Sequence, residues 1–172
     1  MQQPSRIRTS GMILKDFINN SDSESSIFGD LIPLSTRDGS ISFKNNYFNE
    51  SYHSNSGALK EATEKFIRPA NLESFQRNQQ ISILDVCFGL GYNTACFFEN
   101  SIPLNNQIKW WGLEIDKRPL EIALKNNSFK KLWSAPVLEI LENINMRKKW
   151  TNKNNEGELL LGNAISKIDD IP

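Results

Sequence analysis

ISILDVCFGLGYN, at residues 81–93, is the stretch of sequence that decides the fold of this chain. Its first seven residues are mainly apolar and predict a short, buried β-strand. Residues 88–91 hold two glycines and predict a tight turn, and helical spacing follows from Tyr92 to Asn100. A strand, a glycine turn and a helix in this order predict a site where a ligand contacts backbone N–H groups of the turn.

The chain downstream of this stretch alternates between further strands and helices. We predict strands at 107–115 and 158–162, helices at 116–127 and 136–149, and a polar loop at 151–157. Asp116 is the predicted cap of the first of these helices, with Pro119 in its first turn, where proline is tolerated. The order β-α-β-α-β predicts a parallel sheet with right-handed crossover connections.

The residues upstream predict a smaller N-terminal unit. The pair Asp38-Gly39 between apolar residues is a hairpin signal, and helical spacing that begins near Gly57 ends at Arg68-Pro69. Residues 1–30 are polar and rich in serine, so we expect this segment to be poorly ordered. The expected organisation is a poorly ordered segment at 1–30, a hairpin and helix at 31–80, and a cofactor-binding unit at 81–172.

The composition excludes several classes of protein. The length of 172 residues fits one domain, and 20 basic and 20 acidic side chains give no general basic field, although a local patch would be enough for a tRNA partner. Cys87 and Cys96 have the spacing of neither a disulfide framework nor a metal site, and we expect both to be buried in a reducing compartment. The sequence has neither a membrane-spanning apolar run nor a signal-peptide core, so the expected location is the cytoplasm.

Polar side chains stand within or just after each predicted strand of the sheet. Asp85 lies inside the first strand, where it either holds the glycine turn through backbone N–H groups or contacts a ligand. Glu114 and Asp116 end the second strand, where an acid bonds ribose hydroxyls, and the pattern leaves open which of the two does so. Asn163 follows the third strand and is placed to face the edge of a nucleotide base.

Two classes of cofactor are bound by folds with this plan. A dinucleotide site has the pattern G-x-G-x-x-G, and here Thr94 replaces the third glycine, which disfavours NAD and FAD. The pattern D-x-x-x-G-x-G, which begins at Asp85, instead suits S-adenosylmethionine, because this cofactor has no pyrophosphate to hold. The pattern therefore favours S-adenosylmethionine, and it assigns no catalytic residue.

Three blocks of the sequence resemble a known family. CFGLGYN at 87–93 resembles the G-F-G-x-G-x-N turn of the bacterial methyltransferase domains that make 5-methylaminomethyluridine at the tRNA wobble position. YHSNSGALKEA at 52–62 is similar to the family's Y-[FH]-S-x-x-G-A-x-x-E segment, and DKRPL at 116–120 to its E-K-x-P-L block. The resemblance covers about residues 36–168.

The resemblance implies a fold, a reaction and a partner. The fold would be α/β, a Rossmann-like class I methyltransferase fold with a parallel sheet and a small N-terminal hairpin and helix. The reaction would be methyl transfer from S-adenosylmethionine to the exocyclic amine of 5-aminomethyluridine in tRNA. The residues expected to bind the cofactor, from the resemblance and the strand ends together, are Asp85, Phe88, Gly89, Gly91, Asn93, Glu114, Asp116, Asn163, Tyr52 and Glu61.

The sequence also departs from the family pattern. Asn163 stands where the family usually has aspartate, and Cys87 stands where its turn opens with glycine. The family's D-x-F-x-P-x-x-N-P-x-x-W block is not reached before Pro172, so we expect a sheet incomplete at the C-terminus, with an uncovered edge and an exposed apolar face. The alternatives are a methyltransferase for another amine and a non-catalytic remnant.

Two further features each have a structural and a functional interpretation. His53 is the only histidine, and we favour a histidine packed at the domain edge over a general base. The basic run Arg147-Lys148-Lys149 is typical of a solvated helix end, with a tRNA contact as the less favoured interpretation.

Overall fold

The fold is described by a computed structural model that covers residues 28–153 and 155–172. The segment expected to be poorly ordered, 1–30, therefore lies outside the described residues except for its last three. The described chain forms a three-stranded antiparallel sheet near its N-terminus and a four-stranded, largely parallel sheet with helices packed against it. The architecture is mixed α/β, as the alternating pattern predicts.

The strands and helices are as follows. The strands are β1 (Leu31–Ser35), β2 (Ile41–Asn45), β3 (Glu50–Ser51), β4 (Gln80–Val86), β5 (Gln107–Glu114), β6 (Lys149–Asn152) and β7 (Asn155–Leu161). The α-helices are α1 (Ala58–Glu61), α2 (Arg68–Ala70), α3 (Tyr92–Ser101), α4 (Arg118–Lys125), α5 (Asn127–Lys130), α6 (Ala135–Arg147) and α7 (Ala164–Lys167). A π-helical turn, Ala62–Ile67, joins α1 to α2, and 3-10 turns follow at Leu72–Ser74, Ile102–Leu104 and Ile168–Asp170.

The carboxylate of Asp38 connects the hairpin of the N-terminal unit to its helix. The predicted hairpin at Asp38-Gly39 is confirmed, because β1 and β2 pair in antiparallel register on either side of it. The Asp38 carboxylate accepts hydrogen bonds from the backbone N–H of Ser40 and of Lys60, each at 2.9 Å. The second bond satisfies one of the N–H groups that the start of a helix leaves without an internal partner. The hairpin turn therefore caps helix α1 from a distance.

The helix that begins at α1 continues further than the sequence predicts. It runs through Pro69 and stops at Asn71, whose φ of 46° is left-handed. Proline usually ends a helix because it cannot donate the i to i−4 hydrogen bond. Here a π-helical turn precedes Pro69 and already departs from that bonding pattern, so the chain passes through the proline without ending the helix.

The larger sheet has the strand order β4-β5-β7-β6. β4 and β5 are parallel, as are β5 and β7, whereas β6 is antiparallel to β7. The prediction of a polar loop at 151–157 is therefore wrong, because these residues belong to a β-hairpin. The cause is Trp150, which is only 4% exposed and packs edge-on against Phe98 with ring centroids 5.0 Å apart, anchoring β6 to the core.

One face of the larger sheet is covered by helices and carries the core. Ile108 and Trp110 are buried on that face, between the sheet and α3. On the opposite face Leu84 and Val86 of β4 are 44% and 49% exposed. Within the described residues β4 pairs with a single strand, β5. No helix in residues 28–153 and 155–172 has the length and apolar character that a membrane span requires.

Candidate functional site

The candidate site lies where the carboxyl ends of β4, β5 and β7 meet. The N–H groups of Cys87 and Phe88, just after β4, donate to the carbonyl of Leu113 at 2.9 and 3.2 Å. The N–H of Gly162, just after β7, donates to the carbonyl of Glu114 at 2.8 Å. In open parallel sheets this edge is the usual place for a ligand.

Glu114 holds the glycine turn in place. The side chain is 8% exposed, and its Oε2 accepts a hydrogen bond from the N–H of Gly89 at 2.6 Å. Its Oε1 accepts two more, from the N–H of Ile115 at 2.7 Å and of Asp116 at 3.0 Å. One carboxylate thus connects the end of β5 to the turn after β4 and borders the space where a ligand would contact that turn.

Asp116 is engaged in a different way. Its carboxylate pairs with the guanidinium of Arg118, whose Nε and Nη2 donate at 2.6 to 3.0 Å, and it also accepts the backbone N–H of Arg118 at 3.0 Å. Helix α4 begins at Arg118, so Asp116 does bond an N–H of its first turn. The same guanidinium donates to the carbonyl of Gly29 at 2.8 Å. Asp116 thus fastens the N-terminal unit to the sheet, which leaves Glu114 as the better candidate for a ligand contact.

Asp85 is part of a buried relay of side chains. Trp110 Nε1–H donates to Thr94 Oγ1 at 2.9 Å, and the Thr94 hydroxyl donates to Asp85 Oδ2 at 2.6 Å. Burial raises the pKa of Asp85 to about 6, with a smaller contribution from the Glu114 carboxylate, against hydrogen bonds from Thr94 and Asn93. The hydrogen-bond donors to Asp85 are therefore side chains of α3, whereas the N–H of Gly89 in the glycine turn donates to Glu114.

Cys87 does not have the environment that the sequence predicts. Cys96 is buried, as expected, but Cys87 is exposed, so the prediction of two buried cysteines is wrong for one of them. The backbone of Cys87 has a φ of +61°, a left-handed conformation that side chains with a Cβ adopt at a cost. The reason is its position: the chain must turn sharply out of β4 toward Gly89, whose φ is also positive at +59°.

Replacing Cys87 with glycine should stabilise the protein. Glycine adopts a positive φ without steric strain, and little packing is lost because the thiol is exposed. We expect the free energy of unfolding to rise by about 0.5–1 kcal/mol, since relief of strain is partly offset by the greater entropy of the unfolded chain. Urea denaturation of Cys87→Gly and Cys87→Ser measures this. A Cys87→Gly variant no more stable than Cys87→Ser would contradict the assignment of strain.

A cavity of about 150 Å³ opens between the N-terminal unit and the glycine turn. One wall comes from the segment after β3 and the helix that follows, and the other from the turn and the start of α3. The lining residues are Tyr52, His53, Glu61, Phe66, Cys87, Phe88, Gly89, Tyr92 and Asn93. Among the described residues, no three His, Cys, Asp or Glu side chains are grouped so as to hold a metal ion.

Five of the ten predicted residues line this cavity, namely Tyr52, Glu61, Phe88, Gly89 and Asn93. Tyr52 packs on the glycine turn, since a Cβ placed on Gly89 would lie 3.1 Å from its ring. Burial, together with Asp116 and Glu114, raises the pKa of Tyr52 to about 12. Glu61 accepts a hydrogen bond from the N–H of Ser54 at 3.0 Å and pairs with Lys65.

Two predicted residues have mainly structural contacts. Phe88 is 3% exposed and packs edge-on against Trp110, with ring centroids 5.5 Å apart, so its ring anchors the glycine turn to the core. Asn163 is exposed and caps α7, its Oδ1 accepting the N–H of Ile165 at 2.9 Å. Its Nδ2 and the second lone pair of Oδ1 remain available to a nucleotide base.

The pattern analysis did not assign His53, Phe66 or Tyr92 to the cofactor site. All three line the cavity, although they are 13 to 39 residues apart along the chain. Phe66 belongs to the π-helical turn, a feature often found at functional sites, and it is 51% exposed at the rim. An aromatic residue held at the surface beside a cavity is a signal that only the folded structure supplies.

No protein-family model matches the sequence, whereas comparison with individual proteins finds similarities. An uncharacterized protein of Methanocaldococcus jannaschii is 38% identical over 60 residues, which is 35% of this chain and 16% of that protein. The crystal structure of MnmC2 from Aquifex aeolicus matches 93% of this chain and 51% of its own, with a TM-score of 0.64 and 27% identity. The chain therefore spans about half the length of that structure and shares its mixed α/β fold over nearly all of its own length.

Proposed function

We propose that this chain is an S-adenosylmethionine-dependent methyltransferase of the Rossmann-like class I type that acts on tRNA. The observation that carries the proposal is the arrangement at the sheet edge, where the carboxylates of Asp85 and Glu114 flank a glycine turn. The similarity to MnmC2 supports the relationship to the tRNA-modifying methyltransferases that the sequence blocks resemble.

The residues present fit a cationic cofactor. S-adenosylmethionine supplies a methyl group on a positively charged sulfonium, together with an ammonium group. Asp85 is a largely buried carboxylate whose hydrogen-bond donors, Thr94 and Asn93, are neutral, so an approaching cation would stabilise its charged form. Glu114 borders the turn at the end of β5, where an acid is suited to ribose hydroxyls.

The proposed substrate is the exocyclic amine of 5-aminomethyluridine at the tRNA wobble position. Methylation of an amine needs mainly an unprotonated nitrogen held in line with the methyl group, so positioning dominates its catalysis. We place this amine in the cavity beside the glycine turn. Its lining includes Tyr52 and Phe66, two aromatic side chains outside the buried core that are suited to a planar base.

The test of cofactor binding is a calorimetric titration of the 172-residue chain with S-adenosylmethionine. We expect saturable binding that weakens about tenfold or more in Asp85→Asn, because a charge-assisted contact is lost. Glu139→Gln is the matched control, since Glu139 is an exposed acid on α6 that does not line the cavity. A folded chain that shows no saturation would refute the proposal and favour the non-catalytic remnant.

The test of the substrate uses tRNA whose wobble uridine carries a 5-aminomethyl group. We expect transfer of a labelled methyl group to this tRNA and none to the same tRNA with an unmodified wobble uridine, because only the former presents the amine. Cofactor binding without transfer to the aminomethylated tRNA, but with transfer to another amine, would favour the alternative methyltransferase.

A further inference from the structure

His53 is held in a fixed orientation at the cavity. Its Nδ1 lies 3.1 Å from the hydroxyl oxygen of Ser42, on strand β2. Its ring also packs edge-on against Tyr92, at the start of α3, with ring centroids 5.3 Å apart and an interplanar angle of 79°. Contacts from two separate elements therefore set the position of the imidazole.

The second ring nitrogen of His53 faces a different environment. Nε2 makes no hydrogen bond to any residue in the described part of the chain, and the ring lines the cavity. The charged groups that act on it are the carboxylates of Glu61 and Asp38, which raise its pKa, but burial outweighs them and lowers it below the ordinary value. The uncharged imidazole can accept a proton at Nε2 in the tautomer whose Nδ1–H donates to the hydroxyl oxygen of Ser42.

The cavity joins the imidazole of His53 to the candidate cofactor site. Its opposite wall consists of the glycine turn, with Gly89, and of Asn93 on α3. A substrate group that enters the cavity therefore lies between the imidazole of His53 and the turn against which a cofactor would be bound. This is the geometry that a general base requires, within reach of the proton it removes.

We propose that His53 is the catalytic base that accepts a proton from the amine being methylated. The inference rests on the proposed function. An alkylamine is protonated at neutral pH, as lysine is, and has no lone pair to react. Its N–H proton passes to Nε2 of His53. The nitrogen lone pair then forms the bond to the methyl carbon while the carbon–sulfur bond of the cofactor breaks, and that electron pair stays on sulfur, which becomes a neutral thioether.

The first experiment uses the fact that His53 is the only histidine in the chain. Its imidazole C–H signals can therefore be followed by proton NMR without ambiguity. Addition of 5-aminomethyluridine to the full chain, in the presence of S-adenosylhomocysteine, should shift these signals, whereas uridine should not. Signals that respond equally to both nucleosides, or to neither, would overturn the inference.

The second experiment measures single-turnover methyl transfer as a function of pH at saturating cofactor. His53→Gln should lower the rate at pH 7 by about 100-fold, because general base catalysis is lost. The deficit should shrink to about tenfold or less near pH 10, where the amine loses its proton without help. Ser42→Ala, which removes only the partner of Nδ1, should have a smaller effect.

Other outcomes separate this inference from the proposed function. If His53→Gln has an unchanged rate and an unchanged pH profile, or loses only cofactor affinity, His53 is not the base although the methyltransferase proposal stands. If the unchanged chain neither binds the cofactor nor transfers methyl groups, the proposed function fails and the inference fails with it. Thermal unfolding of each variant establishes that it is folded.

Discussion

Replacing Asp85 with asparagine should make the protein more stable and its cofactor binding weaker. Burial raises the pKa of Asp85 to about 6, above the value near 4 of an unfolded chain. The folded protein therefore holds this proton more tightly than the unfolded chain does, and stability falls as the pH rises from about 4 to about 6. Well above pH 6 the full cost of the charged carboxylate is present, about 3 kcal/mol.

The asparagine variant removes this cost without removing the packing. Its Oδ1 can still accept the hydroxyl proton of Thr94, so the relay to Trp110 persists. We expect a gain of about 3 kcal/mol in the free energy of unfolding at pH 8 and almost none at pH 4. Urea denaturation across this range measures it. Parallel stability curves for the parent and the variant would rule out the raised pKa.

Thr94→Val tests the hydrogen bond to Asp85 separately from the charge of Asp85. It keeps the size of the side chain but takes the hydroxyl away from both Asp85 and the indole N–H of Trp110. Buried polar groups left without a partner cost about 1–3 kcal/mol, so this variant should be less stable than the parent at every pH. Suppose that Asp85→Asn raises the free energy of unfolding at pH 8 and Thr94→Val lowers it. The charge of Asp85 then destabilises the fold, and we would assign that charge to ligand binding.

Replacing Glu114 with alanine should destabilise the protein by about 3 kcal/mol. The side chain is buried and accepts hydrogen bonds from three backbone N–H groups, those of Gly89, Ile115 and Asp116. Alanine leaves these donors without their acceptor, and the cost of each buried one is about 1–3 kcal/mol. The glycine turn loses its connection to β5, so cofactor binding should be lost as well.

The effect of Glu114→Ala is best judged against another glutamate. Glu121→Ala removes a partly exposed carboxylate that pairs with Lys117 one helical turn away, and such pairs contribute less than about 1 kcal/mol. Urea denaturation gives both values, and hydrogen exchange of the Gly89 amide should be faster in Glu114→Ala alone. Similar losses of stability in the two variants would contradict the role of Glu114 in holding the turn.

The sequence predicts the outline of the fold because local signals agree with the tertiary structure. The apolar run before the glycine turn, the pair Asp38-Gly39 and the helical spacing after Tyr92 each specify their own element. The hairpin of β6 and β7 is different. Its first strand contains the basic and polar residues typical of a helix end and a loop, and it is held by the burial of Trp150, a contact made with another element.

The candidate site is predictable only as a set of residue types at strand ends. The pattern places Asp85, Glu114 and Asp116 near the same edge but leaves their roles open. These roles depend on partners far along the chain, since Glu114 bonds Gly89 25 residues away, and Arg118, the partner of Asp116, also bonds Gly29. Cys87 was expected inside the core, but the sharp turn out of β4 turns it toward solvent.

The link from Arg118 to the backbone of Gly29 has a thermodynamic consequence. The cavity is closed on one side by the N-terminal unit and on the other by the larger sheet, so a ligand that contacts both walls binds best when the two are docked. Ligand affinity and docking of the N-terminal unit are therefore reciprocally coupled: whatever strengthens one strengthens the other by the same free energy. Arg118 would therefore raise ligand affinity without contacting the ligand, because its hydrogen bond to Gly29 favours the docked arrangement of the two walls.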